Sequence, residues 1–160
     1  MTADGSGSSV RGLAEALLLF PLGYLIAAVV GRRRATWTLA VVVVGALAGL
    51  RFQDQVPPAL VLMLVAAALV GWSATRGQLW PPTVVTLQTA GVVLFAAVAF
   101  SAMAVDQELG RYLLAAGWIG HAVWDFAHHR LNLVVSRSFA EWCGVFDLLG
   151  GIAILFLPLP

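Results

Sequence analysis

The chain has 160 residues, 61% of them hydrophobic and only 11% charged, with a formal net charge of +1. A soluble domain carries about a quarter charged residues, so a chain with a mean hydropathy of +0.92 cannot cover a water-facing surface and reads as a polytopic membrane protein of one domain. All nine basic residues are arginine and none forms a run interleaved with aromatics, which gives no pattern for nucleic acid; the lone Cys143 excludes an internal disulfide.

Residues 1–10 are small and polar and read as a disordered N-terminal tail, without the basic start of a secretory signal. Six apolar segments follow, at roughly 11–31, 35–52, 57–75, 80–105, 109–132 and 139–157, each near the ~20 residues that cross ~30 Å of hydrocarbon. Pro57-Pro58 and Pro81-Pro82 stand at the first turns of the third and fourth segments, where proline is tolerated. Continuous apolar runs exclude the alternating strands of a barrel. The expected architecture is therefore an all-α bundle of six transmembrane helices spanning residues 11–160.

With the N- and C-termini outside, Arg32, Arg33, Arg34, Arg76, Arg130 and Arg137 lie on the cytoplasmic side, and Arg11, Arg51 and Arg111 on the outer side. The positive-inside rule favours this orientation. Trp37, Trp72, Trp80 and Trp142 then form an aromatic belt at the cytoplasmic helix ends. The sites this sets are a multi-pass location in a bacterial inner membrane and a lipid bilayer as the first partner. Gly45 and Gly49 make a small-xxx-small pattern, read first as internal packing and second as a homo-oligomer contact. Glu15, in the first two turns of the first segment, reads as a carboxylate near the outer interface.

All three histidines fall in the fifth segment. At 100° per residue, with His121 at zero, Asp125 lies near ~+40°, His128 near ~−20°, Asn132 near ~+20° and His129 near ~+80°. His121, Asp125 and His128 thus form a polar stripe with His129 at its edge, flanked by Trp118 and Trp124. Polar groups in hydrocarbon face a bundle interior or a cavity, so the stripe should face the bundle. The sixth segment must run antiparallel beside it. Counting from their shared connection at ~1.5 Å per residue sets His121 level with Asp147 and Asp125 level with Cys143. Gln88, beside Thr86 and Thr89, reaches a similar depth from the fourth segment.

Imidazoles and carboxylates at one depth match the ligands of zinc or non-haem iron. The expected metal ligands are His121, His128 and Asp147, around one zinc (iron being the alternative) with an open position for water. Asp125 orients an imidazole or acts as general base, and His129 shuttles protons or serves as an alternative ligand. Gln88, Trp118, Trp124 and Cys143 line the pocket, although packing is the commoner role for the tryptophans and for a buried cysteine. The expected activity is zinc-assisted hydrolysis of a lipid or isoprenoid-like molecule. A metal-free isomerase or cyclase using an Asp–His pair, a proton or metal-ion transporter, and an accessory subunit that binds a partner helix are the rivals.

The block Gly117-Trp118-x-x-His121-x-x-Trp124-Asp125-x-x-His128-His129, followed by Cys143 and Asp147, resembles a family of small bacterial integral membrane proteins of unassigned function. The likeness covers about the last third of the chain. In that family the cysteine adjoins the aspartate, whereas Gly144 to Phe146 separate them here. The resemblance implies that His121, Asp125, His128, His129 and Asp147 form a signature, and implies nothing about chemistry. The chain is also similar in outline to intramembrane hydrolases that hold zinc with three histidines and an aspartate, without their ligand spacing.

Overall fold

The computed structural model describes residues 3–52, 56–76 and 82–156. They form six α-helices and no strand: α1 (Ala3–Val30), α2 (Thr36–Arg51), α3 (Pro58–Arg76), α4 (Pro82–Ala104), α5 (Gln107–Leu131) and α6 (Arg137–Phe156), with one 3₁₀ turn (Arg33–Ala35) between α1 and α2. Five of them, all but α5, contain stretches long and apolar enough to cross a membrane. Helix α5 is equally long at 25 residues, but its histidines, acids and arginines lower its hydropathy. The helix that carries the polar stripe is thus the least membrane-like by composition.

Helix α1 begins at Ala3, and the backbone of residues 3–10 is helical. Each added helical residue gains a hydrogen bond once an apolar run has set the first turn. This extends the helix back through serines and glycines that would not start one alone. The aromatic-belt residue Trp80 lies outside the described residues.

Helix α1 is the centre of the bundle and packs on α2, α3, α4 and α5. Leu17, Leu22, Tyr24 and Leu25 are almost fully buried along it. Helices α5 and α6 form the closest pair, and α6 glycines allow this. A Cβ on Gly151 would sit 2.7 Å from the Ile119 side chain and 3.1 Å from backbone atoms of Ala115 and Ile119, and one on Gly150 would sit 2.5 Å from the Trp118 ring. Gly45 and Gly49, by contrast, face open space on the exposed side of α2. That corrects the reading of this pair as internal packing: α2 turns its small residues away from the bundle along with Val41, Val42 and Val44.

Both ends of α5 are fixed. Asp106 caps its start, accepting from the amides of Glu108 and Leu109 at 3.1 Å each. Asn132 ends it in the left-handed region (φ 51°), as αL helix caps do. Val134 follows at φ 61°, with the Val135 amide donating to the Leu133 carbonyl at 2.6 Å. A β-branched residue there is held only by its surroundings. Val134 and Val135 are buried, and the Ser136 amide donates to Thr36 Oγ1 of α2 at 3.4 Å. The tight strap brings α6 back antiparallel to α5.

Candidate functional site

The stripe on α5 faces inward: His121, Asp125 and His128 are all buried, Asp125 completely. Asp147 of α6 meets His121 at the same depth, its Oδ2 lying 2.8 Å from Nδ1. The register across the strap and the α6 glycines that admit α5 make this contact. Asp125, one turn along α5, places its Oδ2 3.3 Å from the same Nδ1. One nitrogen and two carboxylate oxygens, drawn from His121, Asp125 and Asp147, lie within 4.8 Å of one another.

His128 stands apart from this group. Its Nδ1 lies 2.8 Å from the Trp124 carbonyl, which can only accept, so Nδ1 carries the proton. Its Nε2 lies 3.0 Å from Gln88 Nε2 of α4, and its lone pair accepts from that amide. Both ring nitrogens are engaged away from Asp147. The group that could hold a metal ion is therefore His121, Asp125 and Asp147, whereas the expected set is His121, His128 and Asp147. Helical arithmetic places a side chain on a face but does not aim its ring.

His129 lies at the rim of the bundle, its side chain 35% exposed and Nε2 3.9 Å from Glu141 Oε2. Trp118 packs edge-on against Phe20 at 4.9 Å and donates to the Leu13 carbonyl at 3.3 Å, which ties α5 to α1. Trp124 packs between Gly91 of α4 and the His128 ring. Both tryptophans pack within the bundle. Gln88 does reach the polar core, through His128. Thr89 turns back on its own helix and donates to the Val85 carbonyl. Cys143 is half-buried on α6. Glu15 is buried and pairs with Arg51 at 2.5 Å, pinning α1 to α2 near the opposite end of the bundle.

Sequence reasoning missed Tyr24 on α1. It is buried, with its ring 4.8 Å from that of His128 and 5.8 Å from that of His121. Its ring thus covers the stretch of α5 that carries Asp125, four residues after His121 and three before His128. A tyrosine inside an apolar run reads as core, so nothing in the sequence marked it.

Several polar atoms around the centre have no hydrogen-bond partner among the described residues: His121 Nε2, both Asp125 oxygens, Tyr24 Oη and Gln88 Oε1. Leaving a buried polar group unpaired costs about 1–3 kcal/mol, and more for a charge. Two ionised carboxylates against one imidazolium would also leave a net negative charge in the bundle, at several kcal/mol per uncompensated ion. A cation bound between the three residues would offset the charge and engage the unpaired Asp125 carboxylate.

Beside this centre an apolar groove of about 390 Å³ runs between α4 and α5 and opens to the outside of the bundle, lined by residues such as Leu94, Val98, Gly117, Gly120 and Val123. Phe95 and Trp124 line it too, and the Phe95 ring lies 4.9 Å from that of His121. One layer of aromatic rings separates groove from polar centre.

Comparison of the chain with protein-family models, with curated proteins and with solved structures finds no match.

Proposed function

We propose that this protein is an intramembrane enzyme holding one divalent transition metal between His121, Asp125 and Asp147, and that it hydrolyses a lipid-like substrate. The observation that carries the reading is Asp125, a completely buried carboxylate with no hydrogen bond, 3.3 Å from an imidazole nitrogen already bonded to a second carboxylate. Three protein ligands with room for water is the pattern of catalytic zinc. An imidazole with two carboxylates also suits iron or manganese, and disfavours the soft cuprous ion. The bound metal would supply an activated water and polarise the scissile bond. His121 and the two aspartates hold the ion. The aromatic wall of Phe95 and Trp124 excludes bulk water, and the apolar groove supports a substrate drawn from the bilayer.

The same reading puts all six helices across a bacterial cytoplasmic membrane with both termini outside. The arginine distribution supports it, as does the clustering of Trp37 and Trp142, whose rings pack 5.8 Å apart at one end of the bundle.

Elemental analysis of the purified protein tests the metal. The expected result is about one equivalent of a transition metal, lost in His121→Ala. Less than about a tenth of an equivalent, unchanged by that substitution, overturns the reading.

One observation favours a second reading. Asp147 fixes the His121 tautomer through Nδ1, which leaves Nε2 unpaired, the arrangement of a general base. A metal-free isomerase or cyclase would use it. Full turnover in the presence of a strong chelator selects this alternative.

A further inference from the structure

We infer that Tyr24 is a positioning residue of the same centre: its hydroxyl donates to Asp125 and aims that carboxylate at the ion held with His121 and Asp147. The inference rests on reading the cluster as a cation site, and it brings the central helix α1 into the site. Three observations carry it. Tyr24 is 1% exposed and its Oη has no hydrogen-bond partner. Asp125 is 0% exposed and neither oxygen has one. The Tyr24 ring packs against His121 and His128, which precede and follow Asp125 on its stripe by one turn each, and against Phe139.

The chemistry is complementary. A carboxylate only accepts, and a phenol in contact with it can only donate its proton. A side-chain adjustment that brings the Tyr24 and Asp125 oxygens within hydrogen-bond reach closes the contact. A phenylalanine would fill the space without the hydroxyl and so without the cost of burying it; the hydroxyl's partner is Asp125. The two aspartates would then be held differently. Asp147 contacts the imidazole directly, whereas Asp125 would be held by a phenol that leaves its other oxygen free for the ion. Groups that orient a ligating carboxylate typically account for about 10–100-fold in metal affinity.

The two tyrosines make the test clean. Tyr112 is 45% exposed, at the start of α5 and away from the centre. Full-length protein in detergent is titrated with Co²⁺ alone, and bound ion is read from its visible ligand-field absorption. Tyr24→Phe should weaken Co²⁺ by about 10–100-fold and change the absorption envelope, with the thermal unfolding midpoint little moved. Tyr112→Phe should change neither. Separately and without metal, the infrared C–O stretch of the Tyr24 phenol, isolated by subtracting the Tyr24→Phe spectrum, should shift in Asp125→Asn and stay fixed in Asp106→Asn. An unshifted phenol band overturns the inference whatever the metal result, as does Tyr24→Phe binding Co²⁺ with wild-type affinity and spectrum. If the wild type takes up no ion while the phenol band shifts, the cation reading falls and the assignment of Tyr24 to Asp125 is upheld.

Discussion

His121 and His128 share one stripe of α5, yet their ring nitrogens face different chemistry. His121 meets two carboxylates, while His128 is closed between a backbone carbonyl and the Gln88 amide. The difference predicts a split phenotype. His128→Asn should keep its bound metal and lose stability, by about 1–3 kcal/mol for the stranded amide and carbonyl. His121→Asn should lose the metal, and His129→Ala should change neither property. Metal content and thermal unfolding measured on the same samples check this, and loss of metal in His128→Asn would restore the ligand set that spacing alone suggests. The stripe itself was legible, because helical periodicity and the cost of burying charge put His121, Asp125 and His128 on the inner face. Which atom each ring presents was not. That depends on side-chain torsions and on Gln88 and Tyr24, which arrive from helices distant in sequence.

At the scale of elements, helix positions were legible from apolar runs and their punctuation, and α5 ends within two residues of its expected limits at 109 and 132 because Asp106 and Asn132 cap it. The pairing of α5 with α6 followed from their short connection. What the sequence did not mark is which glycines do the packing. The small-xxx-small pair on α2 faces outward, whereas Gly144, Gly150 and Gly151 of α6 seat Phe126, Trp118 and Ile119. Gly151→Ala should therefore destabilise the protein by about 1–3 kcal/mol. It should also weaken metal binding, since the spacing of α5 and α6 sets the 2.8 Å contact between His121 and Asp147. Gly45→Ala should lie within about 0.5 kcal/mol of the wild type. Thermal unfolding in one detergent, with a metal titration alongside, separates them; equal effects would mean that α2 packs where the structure leaves it open.

For the whole molecule the decisive question is whether a helix as polar as α5 can cross a membrane. The bundle offers it a way: α1, α4 and α6 pack around it and give its polar stripe partners, while Val123 and Leu131 remain on its outer side. Helices α2 and α3 turn most of their surface outward, with Val41, Leu60 and Leu64 exposed, as lipid-facing helices do. If all six cross, the connections after α1, α3 and α5 share one face, and that face carries six of the nine arginines against Glu141 as its one acid. The positive-inside rule assigns it to the cytoplasm. A background with Cys143→Ala leaves no native thiol, so single cysteines report the side directly. Gln107→Cys, exposed at the start of α5, should react with a membrane-impermeant maleimide on intact cells. Thr75→Cys, exposed near the end of α3, should react only after the membrane is opened. The reverse pattern would invert the molecule. Reaction of both from the same side would mean that α4 does not cross, and that His121, Asp125 and Asp147 do not lie in a membrane-spanning core.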